Sequence, residues 1–188
     1  MSLRMWQNLM RRCENMVARG VVWMADNAKT LQEVQVSLLN KEVRVVERFQ
    51  QYGFSSVPLS EAEGVIIFVG GLRDHGIVIN VDDRRYRPTD DAEGEVRIYN
   101  HLGDYIRLKS DRTIEVVAGA NVDVTAPDVV VHASNKVRIE SPLVEMTGNL
   151  TVSGTVQGNA VRTAGGIQLG THVHSGVQAG GSNTGAPV

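Results

Sequence analysis

The spacing of apolar residues changes twice along the chain, and each spacing calls for a different element. At the start, Leu3, Trp6, Met10, Cys13 and Val17 recur at intervals of three and four, which places them on one face of a helix. Ser2 stands where it caps the start and Gly20 where it ends the turn, so residues 1–18 are predicted to form an amphipathic helix. A stripe this narrow packs on its own domain or docks on a partner protein, and the first is the simpler expectation. From residue 19 to residue 105 the period falls to two, in Val34, Val36 and Leu38, then Val43 and Val45, then Ile77 and Ile79. Turn residues separate these runs: Tyr52-Gly53, Pro58, Gly70-Gly71, and the acidic run through Asp90, Asp91 and Glu93 to Gly94. Five or six short strands around an aromatic core predict an OB-like β-barrel, a pattern that another small antiparallel barrel would share.

Beyond Tyr105 the strands become shorter and more regular. Ile114/Val116, Val122/Val124, Val129/Val131, Val137/Ile139, Val144/Met146, Leu150/Val152 and Val156 recur every seven or eight residues. Gly119, Asn121, Pro127, Asn135, Pro142, Gly148 and Gly154 turn the corners between them. All nine aromatic residues lie between Trp6 and Tyr105, so this region has nothing bulky with which to fill a barrel or a sandwich. The expectation for residues 106–165 is a β-helix shaft in which three chains wind round one axis. Inward Val and Ile fill its core and each strand pairs with neighbouring chains, giving a shaft of roughly 30 to 40 Å at ~4.8 Å per strand. A solenoid closed by each chain alone fits less well, because strands this short do not complete a coil.

Charge removes several classes of function. The 188 residues carry a formal net charge of -2, and residues 19–105 hold ten Lys/Arg against fourteen Asp/Glu, which opposes phosphate binding by the barrel. Cys13 has no partner for an intrachain disulfide, no apolar run approaches the ~20 residues of a membrane-spanning helix, and Arg4, Arg11, Arg12 and Glu14 interrupt any signal-peptide core. Assembly in the bacterial cytoplasm is the corresponding expectation.

The candidate chemistry is in residues 166–188, at Gly170-Thr-His-Val-His-Ser-Gly176. His172 and His174 project to the same side of an extended strand, and a threefold axis multiplies them to six imidazoles. Octahedral nitrogen ligation suits a transition metal such as iron, whereas zinc prefers four ligands. From Met146 onward there is no Asp, Glu or Cys, so a catalytic metal would lack its other ligands and its acid or base. Six histidines leave no position for water or substrate, which makes the ion a structural clamp on three chain ends. His75, His101 and His132 carry no assigned role. The Asp82-Asp83-Arg84-Arg85 run reads as a solvated turn with local ion pairs. No Ser/His/Asp set, phosphate loop or paired-carboxylate site stands out, and no small-molecule substrate is expected.

Three stretches carry a family likeness. Gly71-Leu-Arg-Asp-His-Gly-Ile-Val-Ile-Asn-Val-Asp-Asp-Arg-Arg-Tyr-Arg-Pro88, Gly94-Glu-Val-Arg-Ile-Tyr-Asn100 and Ile106-Arg-Leu-Lys109 resemble the baseplate-assembly central spike proteins of Mu-like contractile-tailed phages. Thr171-His-Val-His-Ser-Gly176, Gly180 and Asn183-Thr-Gly-Ala-Pro187 resemble their apex motif. The resemblance implies a homotrimer at the tip of the tail baseplate in the virion. An OB-like domain would sit on the baseplate hub, followed by an intertwined trimeric β-helix and a pointed apex. It implies one structural iron per trimer, held by His172 and His174 of each chain. Val173 stands where relatives often have Thr, on the side away from the metal. Some related spikes hold calcium or chloride on the axis, for which this sequence has no firm motif. The implied function is mechanical piercing of the host outer membrane, without catalysis. The spike of a contractile secretion system or a tail-like bacteriocin shares this plan. An OB-fold nucleic-acid binder is opposed by the local charge, and a hydrolase lacks its carboxylates or further ligands.

Overall fold

A computed structural model describes residues 3–39, 41–170 and 180. Its elements are α1 (Leu3–Glu14), β1 (Val17–Asp26), β2 (Glu33–Leu38), β3 (Val43–Arg48), β4 (Glu63–Phe68), a 3-10 turn (Val69–Gly71), β5 (Gly76–Asp82), β6 (Val96–Tyr99), β7 (Tyr105–Leu108) and β8 (Ile114–Val117). The chain is mainly β, as expected, with little helix. It divides into two compact units, residues 1–126 and 127–188.

Five strands close a barrel in the order β1-β2-β3-β5-β4. All pairings are antiparallel except β3 with β5. Alternation builds it: on β2, Val34, Val36 and Leu38 face inward while Glu33, Gln35 and Ser37 face out. The core is Val22, Val34, Val36, Leu38, Val46, Ile66, Phe68 and Val78. Two details differ from the sequence expectation. Phe68 is the aromatic that fills this core, while Trp23, Phe49, Tyr52 and Phe54 are exposed. On β3 and β5 the valines that turn inward are Val46 and Val78, with Val43, Val45 and Ile79 outward. A one-residue choice of face moves every side chain to the other side of a strand. Here close packing at Gly76 goes with the choice, since a Cβ there would lie 2.7 Å from Val46 Cγ1 and 2.9 Å from Phe68 Cε1.

Arg48 ends β3 on the inward face and closes that mouth of the barrel. Its Nη1 donates to Gln32 Oε1 at 2.7 Å and to Ser56 O at 2.7 Å, and its Nη2 donates to Ser56 Oγ at 2.9 Å. Burial lowers the pKa of the guanidinium, and these three acceptors replace the water it loses.

The barrel ends at Asp82, and β6, β7 and β8 form a separate three-stranded antiparallel sheet. The boundary expected at residue 105 therefore coincides with the first residue of the middle strand of this sheet. Ile114 and Val116, expected as the first unit of the shaft, pair with β7 of their own chain.

The helix also differs from expectation. Val17 and Gly20 belong to β1, and Gly20 is packed against Ile66 and the Ser37 carbonyl instead of capping a helix. The proposed cap Ser2 lies outside the described residues. No residue of α1 is buried, and its apolar side chains Leu3, Trp6 and Met10 remain 43% to 73% exposed. What holds the helix is its last turn: Arg12 Nε donates to Gly70 O at 3.0 Å. A Cβ at Gly71 would meet the Arg12 carbonyl oxygen at 2.2 Å, and Gly71 has φ of 69°. Both space and conformation require glycine there.

Gly71→Ala is therefore expected to destabilise the barrel by more than about 1 kcal/mol in urea unfolding, and to speed tryptic cleavage after Arg11 and Arg12. Cleavage at the wild-type rate would show that α1 is not held through this contact.

Candidate functional site

The expected metal ligands His172 and His174 lie outside the described residues. The chain leading to them is a tight hairpin. Arg162 and Gln168 form an antiparallel bridge, with Leu169 N–H donating to Val161 O at 2.9 Å and Thr163 N–H to Ile167 O at 3.0 Å. Gly166 N–H closes the turn on Thr163 O at 2.9 Å, and its φ of 80° is one that a side chain would strain. Thr163 Oγ1 accepts from Ile167 N–H at 3.2 Å.

Between Val117 and this hairpin lies the segment read as a shaft. Its large apolar residues from Val122 to Val156 are each 45% to 71% exposed. Residues 118–160 form no backbone-to-backbone hydrogen bond among the described residues. The bonds this segment does make are local or involve side chains, such as Gly119 N–H to Asp104 Oδ1 at 2.8 Å. That bond holds the Asp104 carboxyl below the usual range and ties the exit of the chain to the β6–β7 turn. Asn100 orders the same turn by accepting from Leu102 N–H at 2.9 Å and Asp104 N–H at 3.1 Å.

Among the described residues no group of three or more His, Cys, Asp or Glu is placed to hold a metal ion. His101 packs edge-on to Tyr86 at 5.7 Å, and His132 is exposed. A cleft of about 420 Å3 brings Ser56, Asp83 and His101 together with Tyr86 and Tyr99. Its serine and its aspartate are occupied by structural bonds. Ser56 Oγ accepts from Arg48 and donates to Gln50 Oε1 at 3.1 Å. Asp83 takes Arg85 Nε on one carboxylate oxygen at 2.9 Å and Arg85 Nη2 on the other at 2.7 Å. The Arg85 side chain holds the Asp83 carboxyl below its ordinary value, which makes it a poor base. The Asp82–Arg85 run is a stitched turn, with Arg84 on Glu63 and Arg85 on Glu61 as well.

One cluster escaped the sequence reading. Residues 90–95 fold against the β6–β7–β8 sheet through ion pairs. Arg107 Nη2 reaches Glu95 at 2.5 Å, and Arg97 Nη2 reaches Asp91 at 2.7 Å and Asp90 at 3.0 Å. Glu95 and Arg97 are shielded from water, with side chains 4% and 9% exposed, while Asp90 is exposed. Arg97 also lies over the Tyr105 ring at 4.7 Å. The available signal was register: Arg97 and Arg107 are direct cross-strand partners, so they share one face. The Ser110 backbone N–H first, then the Arg107 guanidinium, lower the Glu95 pKa to about 2.

Comparison with known proteins adds two matches to families. The family described as "Bacteriophage Mu Gp45, N-terminal" matches residues 19–85, and "GpV Apex motif" matches residues 166–188. The chain is 39% identical over 150 residues to the "Baseplate puncturing device gp45" of Escherichia phage Mu, covering 79% of this chain and 72% of that protein. It is 31% identical over 147 residues to the "Mu-like prophage FluMu protein gp45" of Haemophilus influenzae, covering 78% and 79% respectively.

A depressed carboxylate pKa stabilises the fold above the ordinary value, and that stability is lost as the pH falls through the folded value. For Glu95 the window runs from 4.5 down to about 2. The near-ultraviolet circular dichroism of Tyr99 and Tyr105 is expected to decline across it. In Glu95→Gln the signal should start lower and change less, whereas an unaltered acid profile would exclude Glu95 as the group responsible.

Proposed function

The chain belongs to the gp45 family of Mu-like phages, and from that premise we propose that it is the central spike of a contractile phage tail baseplate. It pierces the host outer membrane mechanically and takes part in assembly of the baseplate. The observation that carries the mechanical reading is the segment 118–160, which is aliphatic, exposed and without backbone pairing of its own. Ordering such a chain costs on the order of 1–2 kcal/mol per residue, and a lone copy gains nothing by it. Three copies gain buried valine and isoleucine together with a full set of interchain backbone bonds. The working form is therefore a homotrimer, and residues 118–160 form its intertwined β-helical shaft. Such a shaft resists axial load because its interchain bonds must break together.

The donor set at the apex fits a structural transition metal. His172 and His174 are the two ligating side chains each chain offers after Met146, and Arg162 is the sole charge in that stretch. Six neutral imidazoles would hold one iron and pin three chain ends that have little apolar surface of their own. The protein works without catalysis. In the cleft that gathers Ser56, Asp83 and His101, the serine and aspartate are engaged by Arg48 and Arg85. Its partners are the baseplate hub and the outer membrane, and its place is the tip of the tail.

Sedimentation equilibrium is expected to give three times the chain mass, and elemental analysis one iron per trimer. His172→Ala combined with His174→Ala should abolish the metal and leave the trimer intact. A well-folded monomer, or one metal per chain, would overturn the proposal.

A further inference from the structure

Helix α1 is held to the barrel by polar bonds at its C-terminal end, and its apolar stripe takes no part in them. Besides the bond from Arg12 to Gly70, Asn15 Oδ1 accepts from Arg73 Nη2 at 2.9 Å, and Met16 O accepts from Phe68 N–H at 2.8 Å. At 3.6 residues per turn, Leu3, Trp6, Leu9, Met10 and Cys13 fall within an arc of about 120° with Trp6 at its centre. All five are exposed. The polar side carries Arg4, Arg11 and Arg12, and residues 1–14 hold these three arginines against one carboxylate, Glu14 in the last turn. A helix of 12 residues is marginal in water alone and draws most of its stability from covering its apolar face. The stripe of α1 therefore calls for a partner, and the arginines beside it call for an anionic one.

We infer that α1 is a membrane-surface helix whose partner is the interface of a bilayer containing anionic phospholipid. The distribution of side chains is the one such a helix needs: leucine, methionine and tryptophan on one side, arginine on the other, and low hydrophobicity taken as a whole. Trp6, at the centre of the stripe, has an apolar ring and a polar N–H that suit the boundary between acyl chains and headgroups. Arg4 and Arg11 have stems long enough to keep their guanidinium groups among the headgroups while the stripe is immersed. Packing copies of α1 on one another would gather three arginines and only one carboxylate from each, whereas anionic headgroups compensate that charge. No helix among the described residues is long and apolar enough to cross a membrane, so the contact lies along the surface. Because Arg12 and Gly71 fix the helix to the barrel, the barrel gains a lipid contact of its own. This contact is separate from the apex and does not depend on the trimeric reading.

The test uses the full chain with Trp23→Phe, which leaves Trp6 as its one tryptophan. The probes are vesicles of phosphatidylethanolamine with phosphatidylglycerol, and vesicles of phosphatidylcholine alone. With the anionic vesicles, Trp6 emission is expected to shift to the blue and to be quenched by bromine placed on the acyl chains. With phosphatidylcholine it should stay as it is in buffer. Arg4→Gln combined with Arg11→Gln should weaken the response to anionic vesicles by at least ~10-fold, while Arg12 is kept because it holds the helix in place. Co-sedimentation with vesicles and no change at Trp6 would put the lipid contact elsewhere in the chain, overturning this inference and leaving the spike reading intact. An equal response to phosphatidylcholine, or an undiminished one in the arginine variant, would overturn it as well. Emission already blue in buffer and unaffected by vesicles would show that protein covers the stripe, and would overturn it too.

Discussion

Aliphatic side chains can be taken out of water only if the backbone that carries them keeps its hydrogen bonds, and for residues 118–160 the described chain supplies no such partners. Everything distinctive about the molecule follows from that constraint. The barrel meets it internally, closing β1 against β4 so that no edge is left open. The sheet of residues 96–117 meets it for its middle strand alone. The shaft segment does not meet it within one chain. Along the sequence the molecule passes from a part complete in itself to a part without backbone partners among the described residues.

The ion pairs around Arg97 and Arg107 matter because they decide which face of the sheet is free. Exposed ion pairs contribute little, but Glu95, Arg97 and Arg107 are largely shielded from water and joined in one network. Removing one member would leave a buried charge without compensation. The same network holds residues 90–95 on the charged side, and Asp104 fixes Gly119 where the chain leaves the sheet. Helix α1 is attached through Arg12 and the two glycines at the end of β4, and its apolar stripe takes no part in the barrel core.

The barrel was legible because Val34, Val36 and Leu38 alternate cleanly and Gly70-Gly71 and Gly94 mark true turns. Its faces were not, because β3 offers valine at 43, 45 and 46. Only the tight approach of Gly76 to Val46 and Phe68 shows which of them turns inward. The separate sheet was hidden by continuity, since Ile106/Leu108 and Ile114/Val116 have the same period as the units that follow. Pairing within the chain, a non-local property, distinguishes them. The helix was read with the right type and the wrong end because Val17 fits both a helical stripe and the first strand. The acidic run at 90–95 was read as a turn, and its partners lie as far away as Arg107 and Ser110. The histidine pair was conspicuous in sequence, and it lies outside the described residues.

The most direct measurement is backbone hydrogen exchange of the full-length protein, resolved along residues 118–160. If neighbouring chains supply the missing partners, these amides are protected to a degree comparable with β2 and β4 of the barrel, and lose that protection together when the trimer dissociates. Exchange at the rate of an unstructured chain, in a protein whose barrel is protected, would contradict the intertwined shaft.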